Sequence, residues 1–303
     1  MAPQLQRAKG SWPALVLLGL TCLATACHTI DPDAASHFST TVTTVKSQSD
    51  TALNAVAALT RDASISYAAT QPTLTEANFV LTPTPETIAA WAGALGSVES
   101  YARNLAALSA PGRTTAFDVA ATNLFTQFQQ TAGEIRANGL GTQAGLNDLL
   151  ATAFTETAGA ILRARSAQAA DKIAAATDTN ITQVCELLAT ELGPDTKTRG
   201  LRKTLVEAVW RPKLNALTAK FLTVTNQNDR LTLAQQYADF LAKRDAEDQI
   251  LAGLRRSLLA LAEAHRDLAQ GEAAGIQAEL GVIDGELQHT RALFDQFSQQ
   301  NPK

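Results

Sequence analysis

Histidine, cysteine and acidic side chains are the groups here most able to hold a metal or move a proton. Glu286 and His289 stand three residues apart, so one helix face presents both. That spacing is half of the site from which di-iron bundles are assembled, which needs a second Glu-x-x-His and two further glutamates. None of His28, His37 and His265 has a glutamate three residues before it. The pair therefore reads as a solvated surface pair, and neither a metal nor a cofactor is expected. His265 lies on an apolar stripe between Leu261 and Leu268, with Glu263 and Asp267 two residues away on either side. Residues two apart on a helix do not face each other. His265 reads as a core or interface histidine with a hydrogen-bond partner, and in an interface it would be pH-sensitive.

A basic run follows Gly193-Pro194: Lys197, Arg199, Arg202, Lys203, Arg211 and Lys213, diluted by Asp195 and Glu207. It suits anionic lipid headgroups, an acidic polysaccharide or an acidic partner. The plainer alternative is a solvated helix face. Trp210 reads as core. Gly139-Leu140-Gly141 with Gly145 looks superficially like a dinucleotide fingerprint, but no strand precedes it, so its required context fails. No Gly-x-Ser-x-Gly elbow occurs, and no cysteine–histidine arrangement for thiol catalysis is visible. The expectation is no catalytic residues and no enzymatic activity.

The opening residues carry the most specific signal. Met1 to Gly10 contain Arg7 and Lys9 and no acid, an apolar run passes through Leu15-Val16-Leu17-Leu18, and small residues lead to Ala26-Cys27. A positive start, a short apolar centre and a small-residue exit are the three parts of a secretory signal peptide. The run is shorter than the roughly 20 apolar residues a membrane span needs. Leu23-Ala24-Thr25-Ala26-Cys27 resembles the lipobox of bacterial lipoproteins. The resemblance covers only this leader, and it implies lipidation of Cys27 by palmitate-type acyl chains with cleavage just before it. Such chains, at about 0.8 kcal/mol per buried methylene, hold a protein on a membrane. The resemblance implies an envelope location, and His28 after the cysteine points to the outer membrane, facing the periplasm. Ala24-Thr25-Ala26 is also a cleavage signal for ordinary secretion.

Removing that leader subtracts Arg7 and Lys9 and leaves 23 basic against 29 acidic side chains, a net charge of −6. An acidic balance disfavours nucleic acid, because phosphate binding needs a basic surface. Cys22 leaves with the leader and Cys27 carries lipid, so Cys185 has no intramolecular disulfide partner and reads as a small buried residue.

Helical periodicity must position everything else. Phe38, Val42, Val45, Ser49, Ala52, Val56, Leu59 and Ala63 alternate steps of four and three, as do Ile88, Trp91, Leu95, Val98, Ala102 and Leu105. Such steps make a narrow apolar seam. Leu124, Phe128, Ala132 and Ile135 mark a third helix, ended by Asn138-Gly139. A tract over 142–192 is expected to break near Asp178-Thr179-Asn180. Another from about Thr196 carries Leu201, Leu205, Leu217, Phe221 and Val224, with Pro212 predicting a kink or break. Asn226 to Asp229 reads as a turn or a wet helical stretch. The final stripes are Leu254, Leu258, Leu261, His265, Leu268 and then Ile276, Leu280, Ile283, Leu287, Leu293 and Phe297. The threonines at 40, 41, 43 and 44 weaken the first helix, because β-branched residues lose rotamer freedom there.

These patterns predict an all-α, elongated up-and-down bundle of about six to seven helices with coiled-coil-like seams. The expected organisation is a signal peptide over 1–26, a lipid attachment and tether over 27–36, and a bundle over 37–300. The expected function is a membrane-anchored, non-enzymatic scaffold or interaction module for an envelope protein or cell-wall polymer. The alternative is a small-ligand-binding or sensor bundle in the periplasm.

Overall fold

The computed structural model describes residues 30–69, 72–79, 83–110, 117–139, 144–164 and 170–300. These residues form an all-α bundle with no strand among them. The helices are α1 (Pro32–Ala68), α2 (Pro85–Ser109), α3 (Phe117–Asn138), α4 (Ala144–Ala164), α5 (Ala170–Leu192), α6 (Leu201–Leu205), α7 (Arg211–Thr223), α8 (Gln227–Gln270) and α9 (Ala273–Gln300). A 3-10 turn spans Glu76–Phe79 and a π-helical turn, Val206–Trp210, joins α6 to α7.

Sequential neighbours pack antiparallel. Thr43 on α1 reaches Glu99 on α2 (3.1 Å), Ser97 on α2 bonds Thr131 on α3 (2.6 Å), and Arg256 on α8 forks Glu286 on α9 (2.6 and 2.7 Å). The circuit is closed by α5 against α8 and by α1 against α8 and α9. The seam residues of α1 from Phe38 to Val56, those of α2 from Trp91 onward, and all four named for α3 are buried.

Local chemistry explains the helix ends. Asp31 caps α1 by accepting from the Asp33 N–H, with Pro32 in the first turn. The first helix therefore starts inside the segment read as a tether, and Ile30 is already buried. Thr84 caps α2 ahead of Pro85 in the same way. The threonine hydroxyls of α1 are absorbed by their own helix: Thr40, Thr43 and Thr44 each donate to the carbonyl four residues back.

One expectation is corrected, and two are made specific. The 142–192 tract does not break at Asp178-Thr179-Asn180, since α5 runs straight through; α4 ends at Ala164 and α5 begins at Ala170. Asp178 is polar because it faces His265, as described below. The stretch Asn226 to Asp229 is a cap followed by an exposed first helical turn: Asn226 caps α8, accepting from the N–H groups of Asn228 and Asp229. The break expected at Pro212 falls just before it, where regular α winding gives way to the π turn over Val206–Trp210. The π turn before it closes with the Arg211 N–H bonding the Val206 carbonyl, and α7 starts afresh. Pro212 then occupies the first turn, where no N–H is required.

Candidate functional site

Two groups of polar residues stand out, one inside the bundle and one on its side. Inside, His265 of α8 has no exposed surface. Its Nδ1–H donates to Asp178 Oδ1 on α5 (3.2 Å), and Nε2 shares a hydrogen bond with the Tyr101 hydroxyl on α2 (2.8 Å). That hydroxyl also meets Thr177 Oγ1 at 2.7 Å. Phe38 of α1 packs its ring against the imidazole, with centroids 5.9 Å apart. Four helices thus meet at one histidine. The hydrogen bond from His265 holds the Asp178 carboxyl below its ordinary range, and burial raises the Tyr101 phenol. The void beside Tyr101 measures only about 10 Å³, about one water-sized probe sphere and no more. This network serves packing: His265, Tyr101, Thr177 and Asp178 each make a hydrogen bond to another helix, as burial requires.

The second group lines an open cleft of about 480 Å³ where the π turn and α7 approach α8. Its wall is apolar, made by Val206, Leu214 and the nearly sealed Trp210. Two acids at its edge are already engaged. Arg202 forks Asp248 (2.7 and 2.8 Å) and adds a bond to the Pro194 carbonyl, and Arg244 donates twice to Oδ1 of Asp245 (2.9 and 2.7 Å). Arg211, Asn215, Tyr237 and Thr196 also line the cleft. Among the described residues, none of these four side chains has a hydrogen-bond or ion-pair partner. Behind the wall, Glu247 Oε2 accepts from the Trp210 indole N–H at 3.3 Å. Burial pushes that carboxyl up to about 8, so it is uncharged at neutral pH.

The corner leading into the cleft depends on two glycines. Gly193 and Gly200 hold φ of +92° and +89°. A Cβ on Gly193 would run into the Arg199 carbonyl, and one on Gly200 would lie 2.6 Å from the Glu191 carbonyl. This close approach folds the loop back, aims the Pro194 carbonyl at Arg202 and leaves Thr196 at the cleft.

The basic run does not form one face. Lys197 and Arg199 are exposed in the loop before α6, not on a helix. Arg202 is buried in its fork with Asp248, which removes it from any surface patch. Lys203 is half-buried beside Glu207 (3.8 Å), and Lys213 is half-buried and has a partner. Arg211 lines the cleft. Glu286 of the i, i+3 pair is held by Arg256, which keeps its carboxyl below the ordinary range. Cys185 is a buried free thiol pushed up to about 12 by burial. Cys27 lies outside the described residues.

Sequence reading missed Glu247, Asn215, Tyr237 and the pairing of Asp248. For Glu247 a signal existed, because it precedes Ile250, Leu251 and Leu254 by three, four and seven residues and so shares their stripe. Nothing local marked the others.

Comparison with protein families, with curated proteins and with solved structures finds no match to this chain.

Proposed function

We propose that this chain is an exported envelope lipoprotein, anchored through Cys27, whose bundle is a non-enzymatic scaffold that carries an interaction region away from the membrane. The observation that supports it most is the polarity of α8. Phe38, close to where the described chain begins, packs against His265 near one end of this 44-residue helix. The other end, at Gln227, is about 57 Å from His265 at 1.5 Å per residue. There α7 and the first turns of α8 form an arm with no buried residue in α7 and with Leu222 and Leu231 exposed at 75% and 59%. Phe221 and Arg230 brace the arm, the guanidinium lying 4.1 Å from the ring centroid. A tether at the first end sets the arm and the cleft beneath it outward, toward a partner.

No helix among the described residues is long and apolar enough to cross a membrane, so attachment rests on the lipid. The test has two parts. The mature N-terminus from a membrane fraction should have the mass of an acylated Cys27. Photo-reactive side chains at Leu222 and Leu231 should cross-link one defined envelope partner, whereas one at exposed Gln277 of α9 should not. An unmodified, uncleaved N-terminus recovered from the cytoplasm overturns the address. Equal capture, or none, from the arm overturns the interaction role.

The alternative reading, a small-ligand or sensor bundle, has room in the side cleft and not in the void beside Tyr101. The cleft's volume, within the usual range for ligand sites, is what favours it.

A further inference from the structure

We propose that the cleft between the π turn, α7 and α8 binds the carboxyl end of a peptide chain, with Arg211 receiving the terminal carboxylate. This deepens the interaction role above and rests on it.

Asp248 is forked by Arg202 through both oxygens and Asp245 is paired with Arg244 through Oδ1, so each of the cleft's acids has a counter-ion. Glu247 faces Trp210 behind the wall rather than the opening. Arg211, by contrast, has no counter-ion among the described residues. An arginine fork matches a carboxylate with two parallel hydrogen bonds. The Asn215 amide, the Tyr237 hydroxyl and the Thr196 hydroxyl are similarly uncommitted and line the same space. They can give and take hydrogen bonds as the N–H and C=O groups of an extended peptide demand. Val206 and Leu214 supply the apolar wall that a terminal side chain would cover.

Saccharide is less well served. Sugar recognition draws on the open face of an aromatic ring; Trp210 is only 1% exposed, which leaves the half-buried Tyr237 as the one ring of the cleft able to offer a face. A bare inorganic anion would leave the apolar wall and the amide unused.

The test uses the purified mature chain without its lipid and three probes: N-acetyl-Ala-Ala-Leu with a free carboxylate, the same tripeptide as its C-terminal amide, and N-acetyl-leucine. Titration calorimetry should show the free-acid tripeptide binding at least ~10-fold more tightly than the amide, the loss of one charge-assisted hydrogen-bond pair. Arg211→Gln should reduce free-acid binding by about the same factor and leave amide binding unchanged. Because the Arg211 side chain is exposed and has no hydrogen-bond or ion-pair partner among the described residues, the variant keeps the parent melting temperature. Equal affinity for acid and amide overturns the proposal, as does no binding of either at millimolar concentration. N-acetyl-leucine binding as tightly as the tripeptide also overturns it, by assigning the cleft to a small free acid. Cross-linking from Leu222 reads the arm independently of the cleft, so the interaction role stands or falls separately.

Discussion

His265 and Arg211 both stand beside leucine stripes on long helical tracts, and their fates are opposite. His265 is fully buried, both ring nitrogens are bonded, and three other helices contact it. Arg211 is exposed, lines a cleft and has no partner among the described residues. A buried polar atom without a partner costs about 1–3 kcal/mol, so the interior tolerates few. At the surface water supplies the missing bonds, and a group can stay uncommitted until a ligand arrives. The network and the cleft therefore separate stability from binding: substitutions in one should unfold the protein, and those in the other should change only what it holds.

The largest expected effect breaks the network. His265→Ala removes the ring between Phe38 and Tyr101 and leaves a void, and it should cost about 3–4 kcal/mol in urea denaturation. Without its hydrogen bond from His265, the Asp178 carboxyl should move up toward the ordinary range, visible by NMR titration. A loss below about 1 kcal/mol would place the network outside the cooperative core.

Arg202→Ala should cost about 3 kcal/mol, because it strands Asp248 and the Pro194 carbonyl beside a partly buried site. This is the sharpest test of the basic run. Arg202 is structural, whereas Lys197→Ala and Arg199→Ala should each shift stability by less than about 0.5 kcal/mol.

Glu247 gives a pH signature. Its carboxyl titrates near 8 in the folded protein against an ordinary value of 4.5, because burial disfavours the charged form. The folded state binds this proton more tightly than the unfolded state does. Its contribution to stability is therefore fully present below about pH 4.5, declines as pH rises, and is lost above about 8. Glu247→Gln keeps the acceptor for Trp210 without the charge. Relative to the parent it should gain roughly 2–4 kcal/mol at pH 9 and little at pH 4. Parallel stability curves for parent and variant across that window would refute a buried neutral carboxyl.

The smallest effect is the one on which the contrast rests. Arg211→Gln should alter the melting midpoint by less than about 1 °C, within the range of exposed substitutions. A larger drop would mean that Arg211 belongs to the fold.

Much of the architecture was legible because seams are local. Val42, Val45, Leu95, Val98, Leu258 and Leu261 announce their faces by spacing alone, and all are buried. Thr84 before Pro85 is a start signal of the same local kind, and α2 begins there. The errors were contacts between distant segments. Asp178-Thr179-Asn180 looked like a breaker because three polar residues in a row ordinarily seek water, while the partner that keeps Asp178 in α5 lies 87 positions away. Arg202 looked like part of a surface patch because its acid is 46 positions away. The cleft was invisible for a related reason: it exists only where α7 folds back toward α8, and what defines it is partners its residues lack.

The π turn has one further consequence, for the length of the chain. Leu201, Leu205 and Val209 are spaced by four, but Val209 to Leu214 is five, after which Leu217 and Phe221 resume three and four. One surplus residue swings everything after it by about 100° around a helix axis. The widened turn absorbs that swing, so Leu214 and Leu217 still meet the core. The segment behaves as an α-helix carrying a single-residue insertion. Deleting Ala208 would restore ordinary winding and keep the downstream phase, but Pro212 would then fall in a helix interior and would have to be replaced as well.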